Sequence, residues 1–213
     1  MIDDIGSSAS GLERFLDIDA PLTFSIIPDT REATRCLSLI KERGRTAMAH
    51  LPMEPLDRSK ASANCLTVDT VDPDIRSRVS RWLGKLPGIA GANNHMGSRA
   101  TQDERVMRDV LQEMRDRDLF FLDSRTADRT VVSAVADELG VPHLARDGRF
   151  LDDGGRTGDT YDIVLELGEI ARRQGHAIGI GHPHAGTARA IARALPELAA
   201  RGVRIVPITD LLK

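Results

Sequence analysis

Of the six histidines, four stand where a short apolar run gives way to polar residues: His50, His95, His182 and His184. Three acids share that placement, Asp3 and Asp4 after Met1-Ile2 and Asp123 after Leu122. Imidazole and carboxylate ligate divalent cations, and they move protons near neutral pH. The stretch His50-Leu51-Pro52-Met53-Glu54 sets a histidine ahead of a carboxylate at i, i+4. Pro52 argues against a regular helix there, so the stretch reads as a loop with fixed φ. His50 with one carboxylate would suit zinc or a similar ion, and two histidines plus one aspartate would leave a position open for water. Each residue taken alone has a plainer reading. A lone strand-end histidine is more often a satisfied core or loop residue. Asp3-Asp4 can cap a helix, and Asp123-Ser124-Arg125 can form a local ion pair.

These groups do chemistry together only if the elements carrying them converge. Residues 22–27 read as a buried strand, and 29–43 as a helix striped by Ala33, Cys36, Leu37 and Ile40 and stopped by Gly44. The alternation continues with strand 46–49 ending at His50, helix 72–86, and strand 88–92 running into Asn93-Asn94-His95. A capping box, Thr101-Gln102-Asp103-Glu104, opens the next helix. Strand 119–122 ends at Asp123, helix 131–139 closes at Gly140, and a short strand lies near 142–145. The Gly-rich run Asp152-Asp153-Gly154-Gly155-Arg156-Thr157-Gly158 reads as a surface loop. Helix 161–173, strand 177–181 ending at His182, helix 187–201 broken or restarted at Pro196, and strand 203–208 complete the chain. Seven or eight strand-helix units in 213 residues favour a small closed parallel barrel over an open doubly wound sheet. In such barrels the site lies at the carboxyl ends of the strands, and one mouth would gather these histidines and acids. His143 and His176 fall at or before strand starts, on the other face.

Composition narrows the classes. A chain of 213 residues suits one domain, spanning 1–213. The net charge is −3 with both signs interspersed and no basic stripe, which speaks against nucleic acid. Cys36 and Cys65 make no disulfide framework, and Cys36 reads as packing. There is no GxGxxG after the first strand and no P-loop, which argues against a nucleotide fold. No apolar run reaches membrane-spanning length, and no signal peptide opens the chain. Only Met1-Ile2 precede the paired acids, so the first strand reads as shortened, and the lack of an export segment carries little weight.

Ile2-Asp3-Asp4-Ile5-Gly6, His50-Leu51-Pro52-Met53-Glu54-Pro55, Asn93-Asn94-His95-Met96-Gly97-Ser98, Phe121-Leu122-Asp123-Ser124-Arg125-Thr126 and Gly179-Ile180-Gly181-His182-Pro183-His184 occur in this order. Together they resemble the divergent polysaccharide deacetylase family, relatives of the NodB-homology carbohydrate esterases. The resemblance implies a distorted (β/α)7 barrel and hydrolysis of the N-acetyl amide of an amino sugar. It implies Asp3 as base, Asp4 as metal ligand, His50 as the first histidine of the metal motif and His182 as general acid. The family's second metal histidine is replaced by Glu54, so His95 becomes the third ligand, with Glu54 its rival. Asn94, Asp123, Arg125 and His184 take supporting or substrate-binding places, and the cofactor is a divalent ion, Zn²⁺. A cell-envelope or periplasmic setting follows from the same resemblance. Aromatic residues make up only 3% of the chain, and neither Trp82 nor Tyr161 lies at a strand end. A short or modified amino sugar, or a peptidoglycan fragment, is therefore expected over a long polymer. The change at Glu54 keeps open a second reading, a barrel that binds glycan or cell wall without catalysis.

Overall fold

The structure is a computed structural model that describes residues 1–152 and 157–212. Six parallel strands are hydrogen-bonded in chain order: β1 (Ile2–Ile5), β2 (Thr23–Ile26), β3 (Thr46–Met53), β4 (Gly91–Met96), β5 (Phe120–Asp123) and β6 (His143–Ala145). Helices α1 (Ala9–Leu16), α2 (Ala33–Glu42), α3 (Asp72–Lys85), α4 (Glu104–Arg115) and α5 (Val132–Leu139) return the chain between successive strands. Helices α6 (Thr157–Gln174) and α7 (Ala185–Ala200) follow β6. Parallel neighbours need such crossovers, and every strand therefore ends on the same side.

Two apolar layers hold this arrangement. Alternate strand residues such as Phe24, Ala49, Leu51 and Phe121 join helix residues including Leu12, Cys36, Val79 and Val110 in the outer core. The residues between them, Met48, Phe120 and Leu122, form an inner core with Ile178, Ile180 and Ile208. Both faces of the sheet are thus buried, as parallel sheets require.

The seventh strand expected at 177–181 exists as a single bridge rather than a ladder, pairing Ile2 with Gly181. Asp3 N–H donates to Gly181 O at 2.9 Å, while on the other side Leu151 N–H donates to Ile180 O at 2.8 Å. Residues 178–181 therefore stand between β1 and the chain after β6. Gly179 and Gly181 weaken regular pairing there, because glycine gives up the most entropy and packs no side chain. Residues 203–207, expected as a last strand, take no regular structure before the 3₁₀ turn Ile208–Leu212.

Three local expectations are also revised. Pro52 lies inside β3, which runs on to Met53 instead of becoming a loop. Its carbonyl accepts Leu66 N–H at 2.9 Å. Helix α7 runs unbroken through Pro196, held by buried Ala190, Ile191, Ala194 and Leu198. The cap of α4 is Asp103, whose Oδ1 accepts Val106 N–H at 3.0 Å, whereas Thr101 Oγ1 donates to Gly97 O. Residues 153–156 of the Gly-rich run lie outside the described residues.

Candidate functional site

Two adjacent acids on a regular strand point to opposite faces. Asp3 and Asp4 escape that rule because β1 is irregular: its register with β2 shifts between Ile2 and Ile5, and Asp4 has φ +56°. Ile2 and Ile5 both join the outer core, so the two acids between them are freed for the inner side. Aspartate is among the few residues that adopt left-handed backbone readily. The turn that follows needs Gly6, with φ +125°, where a Cβ would lie 2.1 Å from Thr30 Oγ1.

Three donor atoms meet above this irregularity. His50 Nε2 lies 3.2 Å from Asp4 Oδ1, and His95 Nδ1 lies 2.8 Å from the same oxygen. All three groups fall within 4.8 Å of one another. Asp4 Oδ1 is buried and completes no hydrogen bond among the described residues. Ligands about 2.0–2.2 Å from a zinc ion stand roughly 3–4 Å apart, and the two nitrogen–oxygen separations here, 3.2 and 2.8 Å, lie at or just below the short end of that range. A buried oxygen left without a hydrogen bond, with two imidazole nitrogens closing on it, is a donor set that fits a divalent cation. Burial would raise the Asp4 pKa, but the two imidazoles outweigh it and hold the carboxyl well below the usual range.

Glu54 is not part of this cluster. Four residues along an extended strand advance about 13 Å, so an i, i+4 pair in β3 cannot close on one ion as it would in a helix. The Glu54 carboxylate is instead buried among loop groups: Oε1 accepts Arg58 Nε, and Oε2 accepts Val68 N–H at 2.8 Å. It clamps the segment between β3 and α3.

A polar network fixes the histidine. Asn93, paired with His50 across β3 and β4, donates from Nδ2 to Asp3 Oδ2 at 2.8 Å. A carboxylate can only accept, so Asn93 Oδ1 must face the other way, where it receives Ser25 Oγ at 2.5 Å and His50 Nδ1 at 2.9 Å. With His50 Nδ1 donating to Asn93, Nε2 is the nitrogen left facing Asp4, the one that would ligate a cation there. Asn93 was not singled out from the sequence, although it lies two residues before His95 on the same strand face. Asn94, which was, faces the opposite side and receives Ser124 N–H at 2.9 Å.

Asp3 is nearly solvent-free, and its Oδ1 has no hydrogen bond among the described residues. Burial pushes its pKa above the ordinary carboxylate value, against the opposing pull of His50. Across the mouth, His182 is held by Asp152. His182 N–H donates to Asp152 Oδ2 at 2.7 Å, and Nδ1 lies 2.8 Å from Asp152 Oδ1. Thr187 Oγ1 adds a third hydrogen bond to that carboxylate at 2.9 Å. Burial lowers the His182 pKa, but Asp152 more than reverses this, so the net shift is upward and the imidazolium persists to higher pH. Asp152 opens the Gly-rich run read as a surface loop, yet its side chain is only 5% exposed.

The remaining candidates lie around this centre. Asp123 turns away from the inner side taken by Leu122, and its Oδ1 accepts Arg125 N–H at 2.8 Å. Arg125 has φ +47° and an exposed side chain. Arg146, the residue after β6, locks the same turn, donating from Nε to Ser124 O at 2.8 Å and from Nη2 to Arg125 O at 2.9 Å. His184 is exposed at the start of α7, with its ring centroid 6.3 Å from that of His182.

Comparison with known proteins places this arrangement among relatives. The sequence profile described as divergent polysaccharide deacetylase matches residues 1–212. The chain is 30% identical over 191 residues to YibQ of Escherichia coli (strain K12), described as uncharacterized, covering 90% of this chain and 60% of that protein. It thus spans less than two thirds of that relative's length. The crystal structure of ATU2773 from Agrobacterium tumefaciens C58, also described as uncharacterized, superposes with a TM-score of 0.92 at 22% identity, covering 99% of this chain and 86% of that one. BA3943 from Bacillus anthracis, described as a CE4 family pseudoenzyme, superposes with a TM-score of 0.54 at 16% identity, covering 100% of this chain and 63% of that one.

Proposed function

Because the chain belongs to the divergent polysaccharide deacetylase family, we propose that it hydrolyses the N-acetyl amide of an amino sugar in a glycan or peptidoglycan fragment. A divalent cation, zinc, would be held by Asp4, His50 and His95. The observation that carries this reading is the convergence of those three groups on one buried oxygen that completes no hydrogen bond. When bound, such a cation supplies Lewis acidity and makes water more acidic.

The chain's own residues supply the proton transfers. Asp3, desolvated and oriented by Asn93, takes a proton from the attacking water as the new C–O bond forms. His182, fixed through Nδ1, delivers the proton on its other nitrogen to the amide nitrogen as the C–N bond breaks. An amine leaves poorly unless protonated, which is why an acid is needed on that side. Aspartate and histidine pushed to opposite tasks by their surroundings are the pattern expected of a base and acid pair.

The zinc-loaded protein should release acetate from amino-sugar substrates. A stoichiometric cation with no acetate from any N-acetylated glycan would instead favour the non-catalytic barrel. The fold similarity to a CE4 family pseudoenzyme is what supports that second reading.

A further inference from the structure

The mouth of the site holds an aromatic ring that the proton transfers do not use. Phe15, Phe24, Trp82, Phe120 and Phe121 are at most 3% exposed, and Tyr161 packs against the outer core beneath the Arg193 guanidinium. Phe150, the remaining aromatic residue, is half-buried. Its ring centroid lies 5.6 Å from that of His182 with the planes tilted by 35°, and the Arg146 guanidinium lies 4.1 Å from its centroid. The backbone explains the placement. Leu151 N–H is tied to Ile180 O, and the Leu151 side chain joins the outer core. On either side of this tied residue, Phe150 and Asp152 both meet the His182 ring, one alongside it and one at Nδ1.

Asp152 orients the imidazole through Nδ1, while Phe150 packs in part against the inner core and is left half-buried beside the acid. The nitrogen that His182 protonates is bonded directly to a ring carbon of an amino sugar, so that sugar must lie next to His182. The C–H face of a pyranose is apolar and matches the face of a benzene ring. We propose that Phe150 is the platform on which the sugar bearing the departing amine stacks. The reading rests on the deacetylase assignment and names its substrate class: an amino sugar recognised through one ring, with no second aromatic platform among the described residues for a longer chain.

The test compares Phe150→Ala and Phe150→Tyr with the unaltered zinc-loaded protein. Acetate release gives kcat and KM, and calorimetric titration gives Kd for N-acetylglucosamine and for its β-1,4-linked trimer. Phe150→Ala should raise KM and Kd about 5- to 10-fold, equally for both sugars, with the larger part of the loss in KM rather than kcat. Phe150→Tyr should restore both. Unchanged KM and Kd, or a fall in kcat and melting temperature at constant KM, would show a ring that merely supports His182. Unaltered protein that binds these sugars without releasing acetate would reject the deacetylase reading, while the Kd series would still decide the platform. Unaltered protein that binds neither sugar would overturn the platform itself.

Discussion

Asp3 and Asp4 are the same residue side by side, and the structure gives them opposite characters. Two imidazoles close on Asp4 and keep it ionised, whereas Asp3 is raised by burial and, among the described residues, has only Asn93 as a hydrogen-bond donor. A ligand must stay charged, and a base works best when its proton affinity is raised, so these environments support the proposed roles of Asp4 as ligand and Asp3 as base. Replacing Asp3 by Asn should leave metal content unchanged and lower kcat about 10³-fold, checked by acetate release alongside elemental analysis. Near-normal turnover in that variant would remove Asp3 from the mechanism. Asp152 makes the same argument for the acid. A raised pKa keeps His182 protonated further into the alkaline range, so activity should fall with rising pH only above the ordinary imidazole value. Asp152→Asn removes the charge responsible. The alkaline limb of kcat/KM should then move to lower pH, and the rate at pH 8 should drop roughly 10- to 100-fold. An unmoved limb would mean that His182 is not the acid.

At the scale of elements, hydrophobic period is a local signal, and it picked out the strands that carry His50 and His95. Both strands run further than expected, so His50 and His95 lie within β3 and β4, and the stretch before His182 is a single bridge. What sequence spacing hid were the effects of backbone path. The i, i+4 relation of His50 and Glu54 suggested a shared ion only while residues 50–54 were read as a loop. Once β3 continues through Pro52, Glu54 is carried beyond reach. Asp152 was hidden for the opposite reason, since the glycines after it read as surface while the residue itself turns inward. Asn93 carried a usable signal, its period-two relation to His95, that was overshadowed by its neighbour. The structural role of Glu54 can be separated from a metal role directly. Glu54→Ala removes the acceptor for Arg58 and Val68 N–H and should cost about 2 kcal/mol, less than a fully buried pair because Arg58 is 54% exposed. That corresponds to a fall of roughly 4–8 °C in melting temperature, with metal stoichiometry unchanged. Loss of the metal at unchanged stability would return Glu54 to the ligand set.

At the scale of the molecule, the proposed cation site would join three strands that are far apart in sequence: β1 carries Asp4, β3 His50 and β4 His95. An ion bound there ties the first residues of the chain to its middle, and these contacts are absent when the chain unfolds. Binding to the folded state alone stabilises by mass action, about 2.7 kcal/mol at a free metal concentration of 100 Kd. For a chain of this length that predicts a rise of roughly 5–10 °C in melting temperature on adding zinc, reversed by a chelator. Asp4→Asn should abolish the rise, because it removes the oxygen on which both imidazoles converge. Asp3→Asn and Glu54→Ala should keep it, each for a different reason: Asp3 lies beside the ion without being needed to hold it, and Glu54 lies in the loop clamp. The pattern across the three variants is more telling than any single shift. Were Asp4→Asn to retain the full rise, the cation would be bound elsewhere, and the ends of β1, β3 and β4 would meet for a purpose other than holding metal.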